Sequence, residues 1–173
     1  YRLLQADWKL ALGVEKLDSR VSGSILVETD LKEGQTKSTV IGNFEVQNAS
    51  IRSMRVRLPL SDSEEVKMLR ASGAVVSDLV PLDQEQQLWE LQFKRRVLGA
   101  VNFRIEYERR GDRVDQAETL RLITFPDAGQ VNSFFSVRAG GRLEVALPED
   151  ATGWNKIDWS SVPSGLRAFS SKR

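Results

Sequence analysis

The stretch Gly99-Ala-Val-Asn-Phe-Arg-Ile-Glu-Tyr-Glu-Arg109 decides the fold class. Val101, Phe103, Ile105 and Tyr107 fall in one phase, and Asn102, Arg104, Glu106 and Glu108 in the other. Successive side chains of a strand point to opposite faces, so strict alternation marks a strand with one face on a core and one in water. The same period recurs at Ala6-Trp8-Leu10-Leu12-Val14, Met54-Val56-Leu58, Trp89-Leu91-Phe93 and Leu143-Val145-Leu147. Weaker alternation runs through 21–28, 40–47, 74–82, 119–125 and 133–138.

Turn residues separate these runs. Ala139-Gly140-Gly141-Arg142 has the Gly-Gly pair that suits a two-residue hairpin turn. Lys32-Glu33-Gly34-Gln35 and Arg110-Gly111-Asp112 read as two more turns. Leu58-Pro59 and Leu147-Pro148 end strands, since proline cannot donate to a ladder. Ser61-Asp-Ser-Glu64 has the form of a capping box, which leaves one helical turn or a strand through Val66-Lys67-Met68 as alternatives there. About ten short strands with no sustained helical period predict an all-β fold, an antiparallel two-sheet β-sandwich with an extended C-terminal tail. Phase alone places Trp8, Leu10, Leu12, Met54, Val56, Trp89, Leu91, Phe103, Ile105, Leu143 and Val145 in the core between the sheets.

Composition changes after Pro148. Residues 1–150 are expected to form the sandwich. Residues 151–173, rich in Ser and Gly, still hold Trp154, Ile157, Trp159, Leu166 and Phe169. Exposed, these would make an apolar patch, so the segment is expected to dock on the sandwich or lead to a neighbouring module.

Length and composition narrow the chemistry. The 173 residues suit one domain, and 40% hydrophobic with 28% charged residues is the composition of a folded chain. The chain has no cysteine and no histidine, which removes disulfides, thiolate and His-based catalysis, and Cys- or His-ligated metals. A net charge of +1 gives no bulk attraction to nucleic acid or an anionic membrane. No apolar run reaches the length of a membrane span. Position 1 is Tyr, and a segment of a longer protein is the expected origin.

Acidic groups at Asp62, Glu64 and Glu65, at Asp83 and Glu85, and at Asp112 and Asp115 could supply a hydrolytic carboxylate pair, and the first two groups could supply calcium ligands. All fall in predicted loops, where carboxylates commonly bond nearby backbone. Arg52, Arg55 and Arg57, then Lys94-Arg95-Arg96, then Arg109, Arg110 and Arg113 form basic groups. Their neighbouring aromatics lie in the opposite, apolar phase, so no base-stacking platform accompanies them. Arg110-Gly111-Asp112 is an integrin-type tripeptide and Asn48-Ala49-Ser50 a glycosylation sequon, both made of ordinary turn residues.

The expectation is therefore a non-catalytic structural or protein-interaction module, without cofactor or metal. It would belong to a larger extracytoplasmic bacterial protein, periplasmic or at the cell surface. Its partner would be a protein or a neighbouring module of the same chain, with Trp154, Trp159, Arg55 and Arg57 as the interaction surface. A carbohydrate-binding module, with Trp154 and Trp159 as stacking rings, is the alternative. A carboxylate-dependent hydrolase is a further one.

Overall fold

The structure is a computed structural model and describes residues 11–60, 65–110, 122–146 and 153–171. It is predominantly β. The strands are β1 (Arg20–Lys32), β2 (Gln35–Arg57), β3 (Glu65–Ser72), β4 (Val76–Asp83), β5 (Leu88–Arg110) and β6 (Gln130–Ala139). A single turn of 3-10 helix, Trp159–Ser161, and the short helix α1, Ser164–Arg167, follow in the tail.

All six strands belong to one sheet, in the order β3-β5-β2-β1-β6, with β4 also on β5. The sheet is mixed. β1 runs antiparallel to β2, and β2 to β5, but β6 lies parallel to β1. This corrects the expected antiparallel sandwich of about ten strands. Two pairs of sequence runs are each one continuous strand: 40–47 and 54–57 both lie in β2, and 89–93 and 99–109 both lie in β5, each strand 23 residues long. What separates the runs is a bulge. Val46 pairs with Gly99 and Ile51 with Val97, so residues 47–50 stand opposite Leu98 alone. Asn48 and Gly99 take positive φ there, at 67° and 88°. A bulge adds twist without ending the ladder, and its polar residues read in sequence like a turn.

The long β2–β5 ribbon carries different neighbours on its two halves. β3 pairs with Arg104–Arg110 of β5, and β4 with Leu88–Phe93. Both halves feed one core. Phe44 and Val40 come from one half, Met54, Val56, Leu91 and Phe93 from the other, with Phe103, Ile105 and Tyr107 completing β5. Phe44, Phe103 and Phe125 form its aromatic centre, with ring centroids 4.8 to 5.8 Å apart. Gly42 lies against this centre because a Cβ there would stand 2.2 Å from the Phe103 ring.

The hairpin turn at Glu33-Gly34 forms as expected, with Gly34 at φ 70°, and of the two alternatives after Ser61 the strand through Val66 and Met68 is the one present. Other expectations need correction. Residues 11–19 carry no strand, and Leu12 is 77% exposed. Ala139–Arg142 does not join two strands: 143–146 have no regular structure, Leu143 is half-buried and Val145 exposed. Of the 122–125 run only Thr124 bridges, to Arg57. Residues 11–19 and 143–146 alternate in composition but meet no strand edge among the described residues, and 122–125 meets the edge of β2 at one position. Met54, Val56, Leu91, Phe103 and Ile105 are buried, and Trp89 packs half-buried against them. Trp8, Leu10, the Ser61–Glu64 box, the Gly111-Asp112 turn, 119–121 and Leu147-Pro148 lie outside the described residues.

The face of the sheet opposite the core is covered in part by the tail. Leu26, Ile41, Val162 and Leu166 form a second buried cluster, with Phe134 packed against it. Gly165 approaches Asn43 closely, its place for a Cβ lying 2.6 Å from Asn43 Nδ2.

Candidate interaction surface

Arg55 and Arg57 project from the last residues of β2, both exposed. The edge of β2 beside them is closed by 122–128. Arg57 and Thr124 exchange backbone hydrogen bonds of 2.8 and 3.3 Å. The Asp127 carboxylate then grips Arg55 twice. Its Oδ2 accepts the Arg55 backbone N–H at 2.7 Å, and its Oδ1 accepts Nε at 2.8 Å. This pins Phe125, two residues before Asp127, into the aromatic centre. Partial burial alone would push the Asp127 carboxyl up. The hydrogen bonds from the Arg55 side chain and backbone, with the guanidinium charge, outweigh it and hold Asp127 below the usual aspartate range. The same contacts raise Arg55.

Beside this pair, Glu90 accepts from Ser53 Oγ at 2.7 Å and from Gln92 Nε2 at 2.8 Å. The Gln92 and Ser53 hydrogen bonds hold its carboxyl below the ordinary glutamate value. Ser19, Arg52, Ser53, Arg55, Glu90 and Asp127 line a wide-open groove of about 450 Å³. Of its charged groups, Arg55, Asp127 and Glu90 are already engaged with protein partners.

Trp154 and Trp159 lie elsewhere, on the tail, at 46% and 39% exposure. Trp154 meets Phe135 edge-on, with ring centroids 4.9 Å apart and planes at 89°. Ile157 and Phe169 are exposed on the same segment. The structure therefore does not bring the four expected residues together as one site. Arg55 and Arg57 belong to the ribbon end, and the tryptophans to the tail beside β6.

The residues that fix the tail are others. Val162 and Leu166 carry the apolar contact. The Glu28 side chain, in a residue only 3% exposed, accepts from Ser170 Oγ at 2.5 Å and from Ser171 Oγ at 2.9 Å. The Ser171 backbone N–H adds a third bond at 3.2 Å. Arg104 reaches the Phe169 carbonyl at 3.4 Å. On the same face Glu106 is 8% exposed and binds Arg70, Nε to Oε2, at 2.6 Å. The polar phase of Glu106 suggested a cross-strand arginine partner, and Arg70 supplies it, whereas sequence reasoning passed over Glu28 because it sits in the nominally wet phase. A signal did exist: Ile25-Leu26-Val27 and Val40-Ile41 are uninterrupted apolar runs, the mark of strands covered on both faces.

The remaining sequence candidates are structural or exposed. Asp83 Oδ1 accepts the Gln86 N–H at 3.0 Å and closes the turn after β4. Among the described residues no group of three or more acidic side chains converges as a metal site. Lys94, Arg95 and Arg96 are exposed on β5, with Lys94 and Arg96 reaching backbone carbonyls of Ala74 and Ser50. Asp62, Glu64, Asp112, Arg113 and Asp115 lie outside the described residues. No described helix is long and apolar enough to cross a membrane.

No protein-family model matches the chain, and no curated protein matches its sequence.

Proposed function

We propose that this chain is a non-catalytic β-sheet module whose tail presents a contact surface to a neighbouring module or protein within a larger extracytoplasmic assembly. One observation carries the reading. The tail buries Val162 and Leu166 against the sheet, yet leaves Ile157 and Phe169 exposed and Trp154 and Trp159 partly so. Large aromatic and aliphatic side chains held at the surface by an anchored backbone are what an interface uses as anchors. The carboxylates of the ribbon end support the non-catalytic part. Asp127 and Glu90 are held below their ordinary values by structural hydrogen bonds, the reverse of what a general acid needs near neutrality. The cysteine-free composition is compatible with export and supplies the only support for the location.

The test is a titration of this chain with the flanking segments of its parent protein, expressed separately and followed by tryptophan emission. Binding with a blue shift is expected, abolished by Trp154→Ala with Trp159→Ala at unchanged melting temperature. No binding by the wild-type chain would remove the reading. Retardation in polysaccharide gels, lost in the same double variant, would put the carbohydrate-binding module in its place.

A further inference from the structure

The two outer edges of the sheet are protected very differently. The β3/β4 edge carries Pro81, Arg70 and Asp78, and its register shifts at Val66/Met68, Val76/Asp78 and Pro81/Asp83. Proline, charge and bulges are the ordinary defences of an edge against added strands. β6 has almost none of these. Its sequence Gln130-Val-Asn-Ser-Phe-Phe-Ser-Val-Arg-Ala139 contains no proline and one charge. That charge, Arg138, is tied to Asp30 of β1 at 2.7 Å. Its ladder with β1 runs from Gln130 to Ala139 without a register shift.

What stands at β6 instead is the tail. Trp154 contacts Phe135, which faces the core, whereas Val162 and Leu166 cover Phe134, which faces the opposite side. Between them the chain must pass from one side of the sheet to the other, and β6 is the terminal strand among the described residues. The short route is round the outer edge of β6. The Glu28 bonds to Ser170 and Ser171 and the Arg104 bond to Phe169 then close the clasp on the far side.

We propose that the tail is a clasp over the β6 edge, and that with the clasp off this edge pairs with β6 of a second copy. Opposed residues of an antiparallel pair share a face, which restricts a twofold pairing to registers centred on one residue. Centred on Phe134, the pairing sets Phe134 against its own copy, Val131 against Val137, Asn132 against Ser136 and Gln130 against Arg138. Phe134 and the two valines meet apolar partners, Ser133 stands against Phe135, and the one charge of the strand meets an amide and not its like.

Sedimentation of the full chain and of a chain ending at Gly153 tests this. The full chain should be monomeric, and the shortened chain dimeric at the same concentration. Asn132→Lys should return the shortened chain to monomer, as should a synthetic peptide of residues 154–171 added in excess. Because the sequence has no cysteine, Phe134→Cys in the shortened chain should give a disulfide-linked dimer under oxidation, the opposed Cα atoms being within disulfide reach. If the shortened chain does not fold, Leu166→Ala in the full chain is the substitute, and its dimer fraction should rise about tenfold over the parent. A folded chain of either kind that stays monomeric would overturn the proposal. So would a dimer that neither Asn132→Lys nor the peptide disperses, or a full chain already dimeric through β6.

Discussion

On the core side of the sheet, Phe44, Phe103 and Phe125 stack within a cluster drawn from β1, β2, β4 and β5 and from the segment 122–128. On the other side, Leu26, Ile41 and Phe134 are covered by Val162 and Leu166, and the rest is hydrogen bonds to Glu28 and Arg104. Both sets are buried, so exposure alone does not separate them. They differ in what each depends on. The core side is made by strands that also hold one another through the ladder. The far side is made by a segment with one short helix, whose own backbone bonds are few and local. Such a segment opens at a lower free energy than the sheet beneath it. The first substitutions worth making are those that break this contrast.

The largest effect is expected on the core side. Phe103→Ala removes the ring that stacks on Phe44 and closes on Gly42, at a cost of about 3–5 kcal/mol in urea or guanidinium unfolding. A loss below about 1 kcal/mol would show that the aromatic centre is not the cohesive part of the fold.

Leu166→Ala comes next. Leu166 is fully buried, and its truncation should lower the opening free energy of the tail by about 2–3 kcal/mol. Hydrogen exchange gives the distinguishing readout. The amides of Leu166, Arg167 and Ala168, which bond back to Pro163 and Ser164, should lose protection while those of β2 and β5 keep theirs. Equal loss in both places would mean that the two sides unfold as one unit.

The same contrast governs what could be read from sequence. Strand phase found the core side of β2 and β5 correctly, because Met54, Val56, Leu91, Phe103 and Ile105 alternate with polar residues. It failed at Leu12 and Val145, whose runs alternate but meet no strand edge, and pairing is not a property of the run itself. It overcounted strands because the bulge at Asn48 and Gly99 uses turn residues inside one ladder. The parallel place of β6 depends on a crossover, which no local pattern reports. The basic and aromatic candidates were legible by type, yet Arg55 and Trp154 come from different ends of the molecule. Asp127, the partner that fixes Arg55, sits 72 residues away in sequence.

Ser170→Ala should have a smaller effect, about 1 kcal/mol, again confined to the tail. It removes one donor from the buried Glu28 side chain, while Ser171 still supplies Oγ and N–H. Ser171→Ala combined with it should cost more than the sum of the two single changes, since the carboxylate then keeps the Ser171 N–H as its only remaining donor from the tail. Strict additivity would show that water replaces the serines without penalty.

The smallest effect separates the ribbon end from the tail by acid. Asp127 is below its ordinary value in the folded chain, so the folded state favours the ionised form. Stability from the Arg55 contact is therefore complete above the ordinary aspartate value of about 3.9 and is lost as pH falls through the lower folded value. In Asp127→Asn the group cannot titrate. The stability gap between parent and variant should be steady from neutral pH to about pH 5 and close as pH falls below about 4. The Arg55 side chain is 50% exposed and that of Asp127 30%, so added salt should narrow the gap at neutral pH as well. The location of the loss is the sharper point. Protonating Asp127 releases the Arg55 backbone N–H beside the Arg57–Thr124 bridge, so those amides should exchange faster in the parent at low pH than in Asp127→Asn relative to neutral pH. Protection at Leu166 and Ala168 should be the same in both chains at every pH. A gap that persists unchanged at about pH 2.5 would mean that Asp127 acts through its shape and not its charge.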